Sequence, residues 1–168
     1  MTQAATATPT IREKILEELV IDLQSLKQNQ PTGTGVYGLP NMYELQFTEV
    51  VRHRLGERES QKRFIIGVVD GPERKFPSLG YMDCLFTVDL EFMATLNANE
   101  NQSEWLNMML GVIQRKIRED VQLNGNADNV LEVANEVGID SFDDRKVGGT
   151  IQIQVRYKHA EDDPRRRV

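Results

Sequence analysis

Only one cysteine and two histidines occur in the 168 residues, and each scarcity removes a class of chemistry. Cys84 alone cannot close an internal disulfide, so an intracellular, reducing origin is expected. His53 and His159 lie far apart, with no cysteine or acidic partner at ligand spacing, which argues against a zinc site and for surface or inter-subunit positions. No apolar run approaches the roughly 18 residues of a membrane span. The first ten residues lack a basic start and a long apolar segment, so no secretory signal is expected. Positive charge is in deficit: 20 Lys and Arg against 26 Asp and Glu give a net charge of −6. That balance argues against a surface that grips nucleic acid throughout, while a local basic patch stays open. Gly33-Thr34-Gly35 has no following Lys-Ser/Thr and reads as a turn rather than a phosphate loop.

What is present suits one globular domain with its own core: 39% apolar and 27% charged residues over this length. Met1 to Pro9 read as a flexible arm of small residues, 10–164 as the domain, and 165–168 as a basic tail. Thr10 and Glu13 have capping-box spacing, and Ile11, Ile15, Leu16, Leu19, Val20, Leu23 and Leu26 form a helical stripe, predicting a helix over 11–28. Tyr43, Leu45 and Phe47 alternate as in a half-buried strand, and 64–69 is a short β-branched run. The charged 52–63 segment reads as a turn or exposed loop between them. Asp70-Gly71-Pro72 reads as a turn, continued by a loop through Arg74, Lys75, Phe76 and Pro77.

The longest β pattern runs from Tyr81 to Leu96. Met82, Cys84, Phe86, Val88, Leu90 and Phe92 share one face, and Asp83, Thr87, Asp89 and Glu91 the other. Such length predicts either a bulge or a projection toward another subunit. Asn101 or Ser103 caps a second helix reaching about Val121, with Trp105, Met108, Met109, Val112, Ile113, Ile117 and Val121 as its apolar stripe and Asn124-Gly125-Asn126 as its stop. Residues 130–139 read as a strand with Leu131, Val133, Val137 and Ile139 in phase. The last strand is the clearest: after Gly148 and Gly149, Ile151, Ile153, Val155 and Tyr157 alternate with Gln152, Gln154 and Arg156. The order predicts an α+β fold, an antiparallel or mixed sheet with two helices on one face and a long hairpin-like extension.

Chemistry is sparse along this pattern. Cys84, on an apolar strand face, is expected to be an inert core thiol, and no serine sits in a nucleophile elbow. Asp89 and Glu91 share the outward face of the long strand, and Asp162 and Asp163 sit together near the end, but no third ligand accompanies either pair. A solvated face is the plain reading; for Asp89 and Glu91 the other is the wall of an aqueous channel, where negative charge repels DNA. Arg165, Arg166 and Arg167 form the one basic run, available to phosphate, to a neighbour's acidic patch, or to solvent.

The element order and the closing stretch, in which Gly148, Gly149, Ile151, Ile153, Val155, Tyr157 and His159 precede Asp163 and Pro164, resemble the tail terminator (tail completion, minor tail protein U-like) family of long-tailed phages. The likeness in order spans about 10–164 and is sharpest over 147–164; the 36–80 region does not align with it. It implies a structural virion protein with no enzymatic activity and no cofactor or metal. Six copies would form a homo-oligomeric ring on the head-proximal end of the tail tube. The ring would stop tube polymerisation and meet the tail tube protein and the head-completion (connector) protein, with DNA passing through and no membrane involved. Candidate subunit or partner contacts are Asp89, Glu91, Gln152, Gln154, Arg156, His159, Asp163, Arg165, Arg166 and Arg167. Two other readings remain at this point: a different neck or head-completion adaptor of the virion, and a small enzyme or ligand-binding domain using Asp89, Glu91 or His159.

Overall fold

A computed structural model describes residues 8–26, 49–56, 64–139 and 145–168. The arm at 1–7, the strand expected at 43–47, the stretch 57–63 and part of the turn at 141–144 lie outside the described residues. The elements are α1 (Ile11–Ser25), β1 (Glu49–Val51), β2 (Phe64–Ser78), β3 (Tyr81–Thr95), α2 (Gln102–Glu119), β4 (Asn129–Ile139) and β5 (Lys146–Ala160). The five strands form one mixed sheet in the order β1-β2-β3-β5-β4, antiparallel except where β1 runs parallel to β2. Both helices pack against this sheet, as the α+β expectation required.

The helix starts follow from their caps. Thr10 accepts a hydrogen bond from Glu13 N (3.2 Å) and Asn101 from Glu104 N (3.2 Å), each satisfying an amide with no intrahelical partner. Helix α1 buries Ile11, Ile15, Leu16, Leu19 and Leu23, the predicted stripe. Helix α2 buries Leu106, Met108, Met109, Ile113 and Ile117 but ends at Glu119, so Val121 is exposed rather than part of its buried face. Asp120 turns the chain there, accepting from Gln122 N and Asn124 N before the left-handed Leu123, Asn124 and Gly125. Trp105 lies partly buried and stacks on Phe64 at 5.4 Å.

Strands β3 and β5 form the centre of the sheet. Cys84, Phe86, Val88, Leu90 and Phe92 pack with Ile151, Ile153, Val155 and Tyr157 beneath the helices in one apolar cluster. The long strand β3 does not project. It is paired on both sides, with β2 from Ala94 to Tyr81 and with β5 from Thr95 to Tyr81, and the bulge lies in its neighbour.

That bulge corrects the sequence reading of 70–77. Asp70, Gly71 and Pro72 do not turn the chain; β2 continues to Ser78, slipping register between Asp70 and Glu73. Proline is tolerated because this part of β2 is a sheet edge. Glycine suits the close approach here, since a Cβ at Gly71 would lie 2.4 Å from Thr87 Oγ1 and force that hydroxyl to move. Arg12 of α1 pins the bulge, donating to Asp70 Oδ2 and to Gly71 O, each at 2.9 Å. The chain reverses instead at Leu79-Gly80, where Gly80 has φ +80°.

Strand β4 also departs from expectation. Leu131, Val133 and Val137 are exposed, and Val130 is buried. A register slip between Glu132 and Ala134 breaks the simple alternation. No helix among the described residues is long and apolar enough to cross a membrane.

Candidate interaction face

The face of the sheet turned away from the helices gathers several of the predicted contact residues through strand alternation. Asp83, Thr87, Asp89 and Glu91 of β3 stand opposite Lys158, Gln154, Gln152 and Thr150 of β5, so polar residues pair across the two longest strands. Gln152 Nε2 donates to Asp89 Oδ1 at 2.9 Å. Arg156 Nε donates to Asp83 Oδ1 at 3.0 Å, and its Nη2 completes a two-point contact with Oδ2. The Arg156 guanidinium thereby holds the Asp83 carboxyl below the ordinary carboxylate range. Gln154 lies half-buried opposite Thr87.

Glu91 has a different partner. The chain leaving β1 crosses this face, where Leu55 N donates to Glu91 Oε2 at 2.8 Å and Arg54 sits 3.4 Å from Oε1. Close approach requires Gly67 beneath it, since a Cβ there would lie 2.7 Å from His53 O. Asp89 and Glu91 share a face as predicted, but each is engaged by its own chain. They do not converge on one point in the manner of a cation site. Among the described residues no group of three His, Cys, Asp or Glu side chains is placed to hold a metal ion.

The other predicted contact residues are elsewhere. His159 is not at the surface: it pairs with Met82 in register, on the side away from the Gln152 face, and is 4% exposed. Its Nδ1 lies 2.7 Å from Ala160 O; a carbonyl only accepts, so Nδ1 carries the proton. Its Nε2 is buried without a partner among the described residues. Burial follows from the last residues, which fold back over the sheet end. Ala160 N donates to Arg166 O (2.8 Å), and Ile11 N donates to Pro164 O (3.0 Å), so the Asp-Pro exit caps the first turn of α1.

The three terminal arginines do not form a loose tail. Arg165 pairs with Asp163 and Arg166 with Asp162, while Arg167 Nη2 donates to Ala127 O (3.1 Å) and Asp128 Oδ1 (3.0 Å). Arg165 holds the Asp163 carboxyl below its ordinary range. Arg165 and Arg166 thus pair within the segment, and Arg167 ties it to the turn before β4.

A polar cluster beneath the β2 bulge escaped sequence reasoning. Tyr157 donates to Glu73 Oε1 at 2.6 Å, Lys75 pairs with Glu73 at 3.2 Å, and the Arg12 guanidinium lies 4.9 Å from the Phe86 ring centroid. Burial, then the bond to Glu73, pushes the Tyr157 hydroxyl well above its ordinary value. The available signal was Tyr157 itself, since a phenol on a buried strand face needs an acceptor. Burial also raises the Cys84 thiol, which lies in the core where its strand face placed it.

Exposed apolar side chains, also missed, collect on the sheet edges: Phe76 on β2, Leu79 at the hairpin tip, and Leu131, Val133 and Val137 on β4. No protein-family model and no curated protein matches this chain.

Proposed function

We propose that the protein is a structural component of a virion, a phage tail terminator that assembles as a homo-oligomeric ring on the head-proximal end of the tail tube. Its task is to stop tube polymerisation and present a surface to the head-completion protein, with DNA passing through the ring. The reading starts from the resemblance carried by 147–164 and by the order of elements. The observation that supports it best is the β4 edge, an 11-residue strand bearing exposed Leu131, Val133 and Val137, paired with β5 on one side and with no described strand on the other. A long apolar strand edge is a liability in a lone subunit and suits a chain that works as one of several copies.

The test is assembly and capping. Native mass spectrometry and negative-stain microscopy of the purified protein are expected to show a closed ring, six copies by the resemblance. Added to growing tail tubes, the ring is expected to bind tube ends and arrest elongation. A protein that stays monomeric at high concentration and leaves tube growth unchanged would sink the proposal.

A further inference from the structure

Among the described residues, the two uncovered edges of the sheet match each other in length and direction, and side chains of opposite charge stand on them. Strand β1 covers the outer edge of β2 only from Ile65 to Gly67, leaving Val68–Ser78 without a described strand beside it. At the other end of the order, β4 offers its 11 residues. Strand directions alternate through β2, β3, β5 and β4. A second copy set beside β4 with the β2 edge facing it therefore continues the sheet antiparallel.

The side chains fit that continuation. Arg74 and Glu136 are exposed, lie on the face away from the helices, and form no ion pair with a described residue. A register placing Arg74 opposite Glu136 puts Phe76 opposite the small Ala134. Past the β4 register slip it sets Ser78 opposite Leu131 and carries Leu79 one residue further, to Val130, at a cleft of about 390 Å³ that Ile117, Leu131 and Val133 also line. Leu79 is 98% exposed and Phe76 52%, and five of the eight large apolar side chains exposed among the described residues lie on these two edges. Side chains this exposed gain most from cover, and main-chain hydrogen bonds along the two edges supply the rest.

We infer that copies of this chain join head to tail by adding the β2 edge of one, Glu73–Ser78 with Leu79, to the β4 edge of the next. The inference rests on the ring reading and specifies its joint. Because the two edges differ, the contact is heterologous, and repetition closes a ring or extends without end.

Charge reversal tests it. Arg74→Glu alone or Glu136→Arg alone is expected to raise the concentration for half-assembly about tenfold in sedimentation velocity, and the double variant to restore it. Mixing gives a second readout on folded protein, with thermal melts as the control. Phe76→Asp blocks one edge and Leu131→Asp the other; each alone stays monomeric, and the mixture stops at dimers. If the native chain forms rings that neither reversal weakens, the joint lies elsewhere and the ring reading stands. If the native chain remains monomeric at every concentration, both fail.

Discussion

Glu73 is the first paired residue past the β2 bulge, and three side chains converge on it. It is 12% exposed at the side chain and holds Tyr157, Lys75 and, at 3.9 Å, Arg12. Tyr157→Phe removes the hydroxyl and leaves a partly buried carboxylate oxygen without that donor, an expected loss of about 1–2 kcal/mol in urea unfolding. Because the folded Tyr157 value is raised, its contribution is fully present below the ordinary 10.0 and is lost as pH rises through the folded value. The gap between wild type and Tyr157→Phe should therefore close only in strongly alkaline solution. Asp83 behaves oppositely. Its folded value is depressed, so the stability from Arg156 is present above 3.8 and is lost as pH falls through the folded value. Unfolding curves of wild type and Asp83→Asn should differ at neutral pH and converge in acid. A gap that persisted unchanged into acid would show that the ion pair contributes nothing.

At the scale of elements, the legible parts were those with unbroken period and a cap. The α1 stripe, the buried face of β3 and the alternation of β5 could be read because one face of each meets one core. Strand β2 was cut short because Asp-Gly-Pro has turn chemistry, and only its partners, Arg12 and Thr87, make it a bulge. Strand β4 was placed but assigned the wrong buried phase, since nothing local reveals its register slip at Val133 or that it lies at an edge. The burial of His159 is not legible locally, because the fold-back of the chain after Ala160 is a tertiary event. The glycines allow a sharp check. Gly149→Ala would bring a Cβ to 2.3 Å from Glu136 O and 2.9 Å from the Phe92 ring, so a loss of about 1–3 kcal/mol is expected as strands separate. Gly111, in α2, has nothing within 4 Å of such a Cβ. Gly111→Ala should therefore stabilise by about 1 kcal/mol through helix propensity alone. Equal effects of the two substitutions in thermal melts would contradict the packing described.

For the whole molecule, the sheet order sets a gradient of protection. Strands β3 and β5 are flanked on both sides along most of their length, and their apolar faces are sealed by α1 and α2. Opening them means opening the core, so their amides should exchange near the global unfolding limit. Among the described residues, strand β4 is held on one side only and exposes Leu131, Val133 and Val137, and β2 beyond its bulge is similarly one-sided. In dilute solution those edge amides should exchange much faster than those of β5. Raising the protein concentration into the assembled range should then slow exchange along both edges together, because each joint covers one β2 edge and one β4 edge. Protection confined to one edge would point to a symmetric contact between like edges, a pairing that closes at two copies and has no means to build a ring.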